Sequence, residues 1–428
     1  MIRQVNYNGV LIPESVVDGE GTADGMTPNY AQGMQVSRDR WLILFDTADR
    51  RGRDCWRAVF YQVRDGAPDG PVLNEKLLVA RDRLAVSADG TELFRANGQP
   101  AVFGVPKGAF IDGRVPEHAN VFAITWHGCA IQRRDGWSRG ATDEDGWDAS
   151  LLEPYHEIVH ARLNEAEDDI EIIEPRRRMQ PADGTVVPGH GWAQPIPDDA
   201  ACTRWLDSFS GRPPPDPCSL IGAIAHEWDR RLGTYQWVRT GPFVEVRPKL
   251  QVSETNLVKL GADDYVLAAR SFNKGGHTYW FRTADPFAGW GEYTEAPDTV
   301  GQRYAFRCAD GQLRVFLNRQ DMTPYGDRRN PLYCFDVSPD DFQYTHRRSV
   351  MDSRQLGLPL PEPFLDHVHL YEPVGNRQLM SVRTITCRQV WHGDDKVMPS
   401  DQEMDTAGIH YVEIVYDRDC PPRWRFDG

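Results

Sequence analysis

The chain has 428 residues, enough for one large domain or two to three ordinary ones, with 40% hydrophobic and 26% charged residues as in folded globular proteins. Its net charge of −15 argues against a nucleic-acid partner, and no apolar run approaches the ~20 residues of a membrane span. The 37 Gly, 31 Pro and 13 Trp argue against long helices, whose interiors reject Gly and Pro, and for a turn-rich β fold.

The N-terminal MIRQVNYNG has no apolar core after its single basic residue, so no signal peptide is read there and a reducing, cytoplasmic setting is expected. The eight cysteines show no CxxC or Cys/His ligand spacing; several sit in apolar, strand-like runs such as LYCFDV, where buried thiols are expected. No cofactor is expected, a structural calcium ion being left open.

Along the chain one pattern recurs. Tyr30 opens YAQGMQVSRDRWLILFD, which closes at Asp46; Glu254 opens ETNLVKLGADDYVLAAR, which closes at Arg270. Arg303 opens RYAFRCADGQLRVFLNR, closing at Arg319, and His367 opens HVHLYEPVGNRQLMSVR, closing at Arg383. Each run has the same span, and each flanks a turn (SRD-R, AD-D, AD-G, VG-N) with two apolar stretches, which is a hairpin signature. A weaker copy runs from Gly90 through ELFRA-NGQ-PAVFGV to Pro106. Third strands are expected at RAVFYQVRD, TYWFRTADPF, PLYCFDVSP and HYVEIVYDRD, and short fourth strands at EKLLVAR and RRSVMD. TYQWVRTGPF, by its likeness to TYWFRTADPF, is read as the third strand of one more unit.

Repeats of this kind predict an all-β propeller spanning residues 1–428 as a single domain. Six blades are expected, at about 28–85, 86–175, 190–248, 250–300, 301–355 and 362–428, with five or seven left open; the N-terminal residues are expected to close the last blade. The segments 108–156 and 176–233, rich in Gly, Pro, Asp and Trp, fit the repeat poorly and are read as insertions.

Antiparallel neighbours reverse direction, so the start of a blade's first strand and the end of its second meet at one mouth of the central channel. Tyr30, Asp46, Glu254, Arg270, Arg303, Arg319, His367 and Arg383 are therefore expected to converge there. Arginines pair with carboxylates through two parallel hydrogen bonds, so Arg270, Arg303, Arg319 and Arg383 would form a clamp oriented by Glu254. The alternative is a set of rim salt bridges between blades. His367 suits acid–base chemistry near neutral pH, with Asp366 beside it. Asp46, Asp49 and Asp54 border DTADRRGRD, where turn chemistry is the competing explanation. His118, His127, His226 and Glu227 are weaker candidates for the mouth, as are Trp126, Trp137, Trp147 and Trp192 for stacking on a sugar.

SETNLVKLGADDYVLAARS resembles the strand pair with which sialidases present a glutamate and a clamp arginine, Glu254 and Arg270 matching these; Arg303 resembles a further clamp arginine. TADPFAGW and VSPDDF resemble the turns this superfamily places between third and fourth strands. The resemblance implies a sialidase-like (BNR-repeat) propeller, divergent from true sialidases. It departs from the family at Asn29-Tyr30-Ala31-Gln32, where the first clamp arginine would stand. It departs again at Phe364-Leu365-Asp366-His367-Val368-His369, where the nucleophilic tyrosine would stand; Tyr371 should be deeper or turned away, and Tyr30 is the alternative phenol.

By this resemblance the chain is expected to be a glycoside hydrolase acting on a terminal acidic sugar (sialic, ulosonic or uronic), with a loop aspartate protonating the leaving oxygen. Tyr30, Asp46, Glu254 and His367 would be the catalytic set, and an acidic oligosaccharide the partner. A uronate lyase and a non-catalytic glycan-binding propeller are the two alternatives. No membrane partner is expected, and the oligomeric state is not set by the sequence.

Overall fold

The structure is a computed structural model describing residues 1–13, 26–49, 52–80, 102–110, 121–130, 154–179, 181–182, 193–211, 219–246, 252–271, 277–297, 299–319, 329–357, 363–386 and 408–421. Among these, the secondary structure is strand apart from one 3-10 turn at Ser353–Leu356. Six antiparallel sheets form six propeller blades.

Blade one is β2 (Met26–Gln35), β3 (Arg40–Asp49), β4 (Gly52–Asp65) and β5 (Val72–Ala80). Blade two is β6 (Val102–Phe110), β7 (Phe122–Ala130), β8 (Pro154–Leu163) and β9 (Ile170–Met179). Blade three has β10 (Ile196–Pro197), β11 (Arg204–Gly211), β12 (Ser219–Asp229) and β13 (Thr234–Thr240), with β14 (Val244–Val246) also paired to β12. Blade four is β15 (Val252–Gly261), β16 (Asp264–Ser271), β17 (His277–Thr283) and β18 (Thr294–Pro297). Blade five is β19 (Thr299–Arg307), β20 (Leu313–Arg319), β21 (Leu332–Val337) and β22 (Tyr344–Met351). Blade six is β23 (Pro363–Leu370), β24 (Arg377–Thr386) and β25 (Gly408–Tyr416), completed by β1 (Ile2–Pro13). The N-terminal strand thus closes the ring on β25, from Ile2 opposite Tyr416 to Pro13 opposite Gly408, as the sequence led us to expect.

The apolar runs are continuous because each blade is covered on both faces. Trp41, Leu42, Ile43, Leu44 and Phe45 are all fully buried. Side chains alternate between faces along a strand, so these five divide between two layers. Leu42 and Leu44 pack in the layer holding Phe122 and Ile124 of blade two, whereas Trp41, Ile43 and Phe45 join Tyr371 and Leu379 of blade six. β16 repeats the arrangement, with Tyr265, Leu267 and Ala269 toward blade three and Val266 and Ala268 toward blade five. Gly33 lets blades one and six approach: a Cβ there would stand 2.7 Å from Tyr371 Cε1 and 2.9 Å from Leu42 O.

Two expectations are corrected. The hairpin read from Gly90 to Pro106 is not the opening pair of blade two: Val102–Phe110 is the blade's first strand, pairing with Phe122–Ala130, and residues 90–101 lie outside the described residues. TYQWVRTGPF is not a third strand. β13 follows β12 outward as the fourth, running opposite to the β17 segment it resembles; both have the alternation and end in Gly or Pro turns, which do not encode direction. Residues 122–130, 204–211 and 219–229, inside the segments read as insertions, are strands of blades two and three. The blade-three repeat was hidden because its first strand is two residues long.

Candidate active site

At the start of the inner strands of blades one, four, five and six the ladder is interrupted. In β15 the register shifts between Ser253 and Asn256, and in β23 between Asp366 and His369. The residues in these two bulges, Glu254 and His367, stand at equivalent repeat positions and share a left-handed backbone, φ 53° and 49°. Side chains other than Gly rarely hold that conformation, and it costs on the order of 1 kcal/mol or more. Each is held by a hydroxyl of the preceding blade: the Glu254 N–H donates to Ser210 Oγ at 3.1 Å, and the His367 N–H donates to the Tyr304 hydroxyl at 2.8 Å. The bulges thus fix a carboxylate and an imidazole on neighbouring parts of one mouth.

Around them a charged cluster is assembled. Arg270 Nη1 donates to Glu254 Oε2 at 2.7 Å. Asp366 Oδ1 lies 2.7 Å from both Nε and Nη2 of Arg383, and Asp366 Oδ2 accepts from Arg329 Nη1. Arg383 also donates to Asn29 Oδ1. Tyr30, Cα-paired with Asp46 across the first blade, brings its ring to 4.5 Å from that of His367. Burial, reinforced by Asp46 and Glu254, holds the Tyr30 phenol well above its ordinary pKa; burial, with Tyr30 and Asp366 nearby, does the same for Tyr304. Both are therefore neutral hydroxyls at physiological pH. Burial works against the Arg329 charge, but Asp366 outweighs it and its pKa is raised. His367, Asp46 and Tyr304 are all buried.

The structure therefore brings together Tyr30, Asp46, Glu254, Arg270, His367 and Arg383. It treats the two arginines of blade five differently. A bulge between Thr299 and Arg303 slips the register, so Arg303 stands opposite Leu317 and Arg319 opposite Thr299. Arg303 is fully buried, while the guanidinium of Arg319 lies 5.8 Å from the centre of the Phe335 ring, a residue of the layer between blades four and five. Equal spacing in sequence did not give equal position, because bulge size differs between blades.

Tyr371 is turned away from the mouth, edge-on to Trp41 and packed between blades one and six, with burial raising its pKa to about 12. His226 stacks on Trp237 at 6.0 Å, and Arg204 comes within 3.6 Å of Glu227. β12 starts at the mouth end of blade three, and these two residues lie toward its other end. Asp49, Asp54, His118, His127, Trp126, Trp137, Trp147 and Trp192 fall outside the described side chains. Cys202, Cys308, Cys334 and Cys420 are buried and in no disulfide. Among the described residues no group of three or more His, Cys, Asp or Glu could hold a metal ion, and no helix is long and apolar enough to cross a membrane.

Sequence reasoning missed Tyr304, Arg329, Asn29 and Ser210 as site residues. Tyr304 acts on a residue of the next blade, and Arg329 sits between β20 and β21, where no repeat position marks it.

No protein-family model matches the chain, and no curated protein matches it in sequence. Solved structures do match. A protein of unknown function from Dyadobacter fermentans superposes with TM-score 0.56 at 11% identity, over 97% of this chain and 100% of that one. A point mutant of the NanB sialidase of Streptococcus pneumoniae superposes with TM-score 0.53 at 9% identity, over 93% and 69%. The same sialidase bound to a chlorobenzylammonio-ethanesulfonate gives 0.50 at 10%, over 92% and 70%. The chain has the fold of the sialidase-like β-propellers, six blades included, in a sequence far diverged from theirs.

Proposed function

We propose that the mouth bearing Glu254 is the active site of a glycoside hydrolase that takes a terminal acidic sugar. The observation supporting this most directly is a gradient of exposure within the charged cluster. The side chains of Arg270 and Glu254 keep 14% and 11% of their surface in solvent, while those of Arg383 and Asp366 keep 1% and 0%. The outer pair is available to a ligand; the inner group supports it. In this reading Arg270 offers its fork to the sugar carboxylate, an exchange of one charged hydrogen bond for another. Glu254, released from Arg270, takes a proton from a neutral phenol or water, with Tyr30 the phenol nearest the His367 ring, and Asp46 serves as its counterpart in acid–base work. Arg303, Arg383 and Arg329 hold the field of the pocket positive. NanB is called a sialidase, and likeness of fold to it agrees with this chemistry.

The test is a mass-spectrometric product screen on acidic oligosaccharides, with the wild type beside Arg270→Ala. Products that gain water, with kcat/KM reduced at least about tenfold in the variant, support the proposal. Products without added water would replace it with an eliminating lyase, and binding without turnover would replace it with a glycan-binding protein.

A further inference from the structure

The opposite mouth of the channel holds a cavity of about 560 Å³, walled by the far halves of β15, β19 and β23 and by residues 193–197. The same strands carry Glu254, Tyr304 and His367 ahead of the residues that line the cavity. Its walls are apolar and polar in nearly equal parts, the apolar part coming from Ile196, Leu257, Leu260, Phe306 and Leu370. That size and lining are those of small-molecule sites, which pair an apolar body with a few placed polar groups.

The polar groups are unequal. Gln378 is committed: its Oε1 takes the Ala309 N–H at 3.0 Å and the Tyr416 hydroxyl at 2.6 Å, and its Nε2 donates to Tyr371 O. Lys259 is committed too, with Asp198 Oδ1 at 2.9 Å. Arg307 is exposed at the rim and has no hydrogen-bond or ion-pair partner among the described residues. A chamber with an apolar wall and one uncommitted guanidinium at its edge suits a molecule with an apolar body and a carboxylate head.

We propose that this lower cavity binds a small amphipathic carboxylate, its aliphatic or aromatic body inside the channel and its head on Arg307. Glu372 also lines the cavity and opposes an anion, so its neutralisation strengthens binding.

Isothermal titration with decanoate below its micelle threshold, and with decanol as the uncharged control, tests this. Saturable binding of decanoate is expected, weakened about tenfold or more in Arg307→Ala while decanol binding is unchanged. Ala309→Trp, which fills the chamber, should abolish both, and Glu372→Gln should tighten decanoate alone. Absence of saturable decanoate binding to the wild type overturns the proposal, as does equal weakening of both ligands in Arg307→Ala. Arg307 is exposed, so its variant keeps the fold, and the outcome is independent of any activity at the upper mouth.

Discussion

Asp366→Asn isolates the contribution of the inner charge group. Asp366 is fully buried and receives two guanidinium groups, from Arg383 and Arg329, themselves 1% and 7% exposed at the side chain. Removing its charge leaves two buried cations facing a neutral amide. Breaking a buried pair from one side costs about 3–5 kcal/mol, because the stranded charge cannot be rehydrated. Asp264→Asn is the matched control: Arg282 holds Asp264 with two bonds of 2.7 and 2.9 Å, but the pair is 39% and 29% exposed, and water replaces what is lost. Its cost is about 0–1 kcal/mol. At about 1 °C per kcal/mol for a single domain of this length, thermal melting should fall by about 3–5 °C for Asp366→Asn and by at most about 1 °C for Asp264→Asn. Equal shifts would refute the reasoning that burial, and not bond geometry, sets the value of these pairs.

Tyr304→Phe removes the hydroxyl that accepts the His367 N–H, leaving a buried donor on a left-handed residue; a loss of about 1–3 kcal/mol is expected, together with a fall in kcat larger than any change in KM if His367 is held for chemistry. Ser210→Ala should act in the same way on Glu254, by less because the bond it removes is longer, 3.1 Å against 2.8 Å. His160 gives a pH dependence. Its ring is fully buried in blade two, Nε2 accepts the Tyr235 N–H at 3.0 Å, and Nδ1 faces Glu174 at 2.7 Å. Glu174 favours the protonated ring, but burial, with Arg177 adding to it, prevails and lowers the pKa to about 3. The folded value lies below the ordinary 6.5, so this contribution to stability is full above about pH 6.5 and declines as pH falls toward 3. Denaturation at pH 7 and pH 4 should show a smaller pH-dependent loss in His160→Gln than in the wild type; an identical loss would mean that burial does not control this ring.

Four hairpins were legible in the sequence because each combines alternating apolar residues with a turn of fixed length, and both are local properties. Tyr30–Asp46, Glu254–Arg270, Arg303–Arg319 and His367–Arg383 were found this way, and all four runs form paired strands. Blade three was not legible, because its first strand is two residues long and its outer strand imitates an inner one. At the site, Glu254 with Arg270 followed from repeat position, since both bond partners lie within one hairpin. Arg329 on Asp366, Asn29 on Arg383 and Tyr304 under His367 could not follow, since each joins different blades or a loop to a blade.

The sequence by itself determined four of the strand pairs, the closure of the ring by the N-terminal strand, and the end of the channel where polar residues gather. Alternation, turn chemistry and repeat spacing act over a few residues and are written in the order of the chain. Only the tertiary structure decided which arginines share a carboxylate, which pair stays open to solvent, and that Arg319 turns to Phe335 while Arg383 turns to Asp366. Those outcomes depend on bulges that shift register by one or two residues and on contacts between blades, where burial sets the value of a charge.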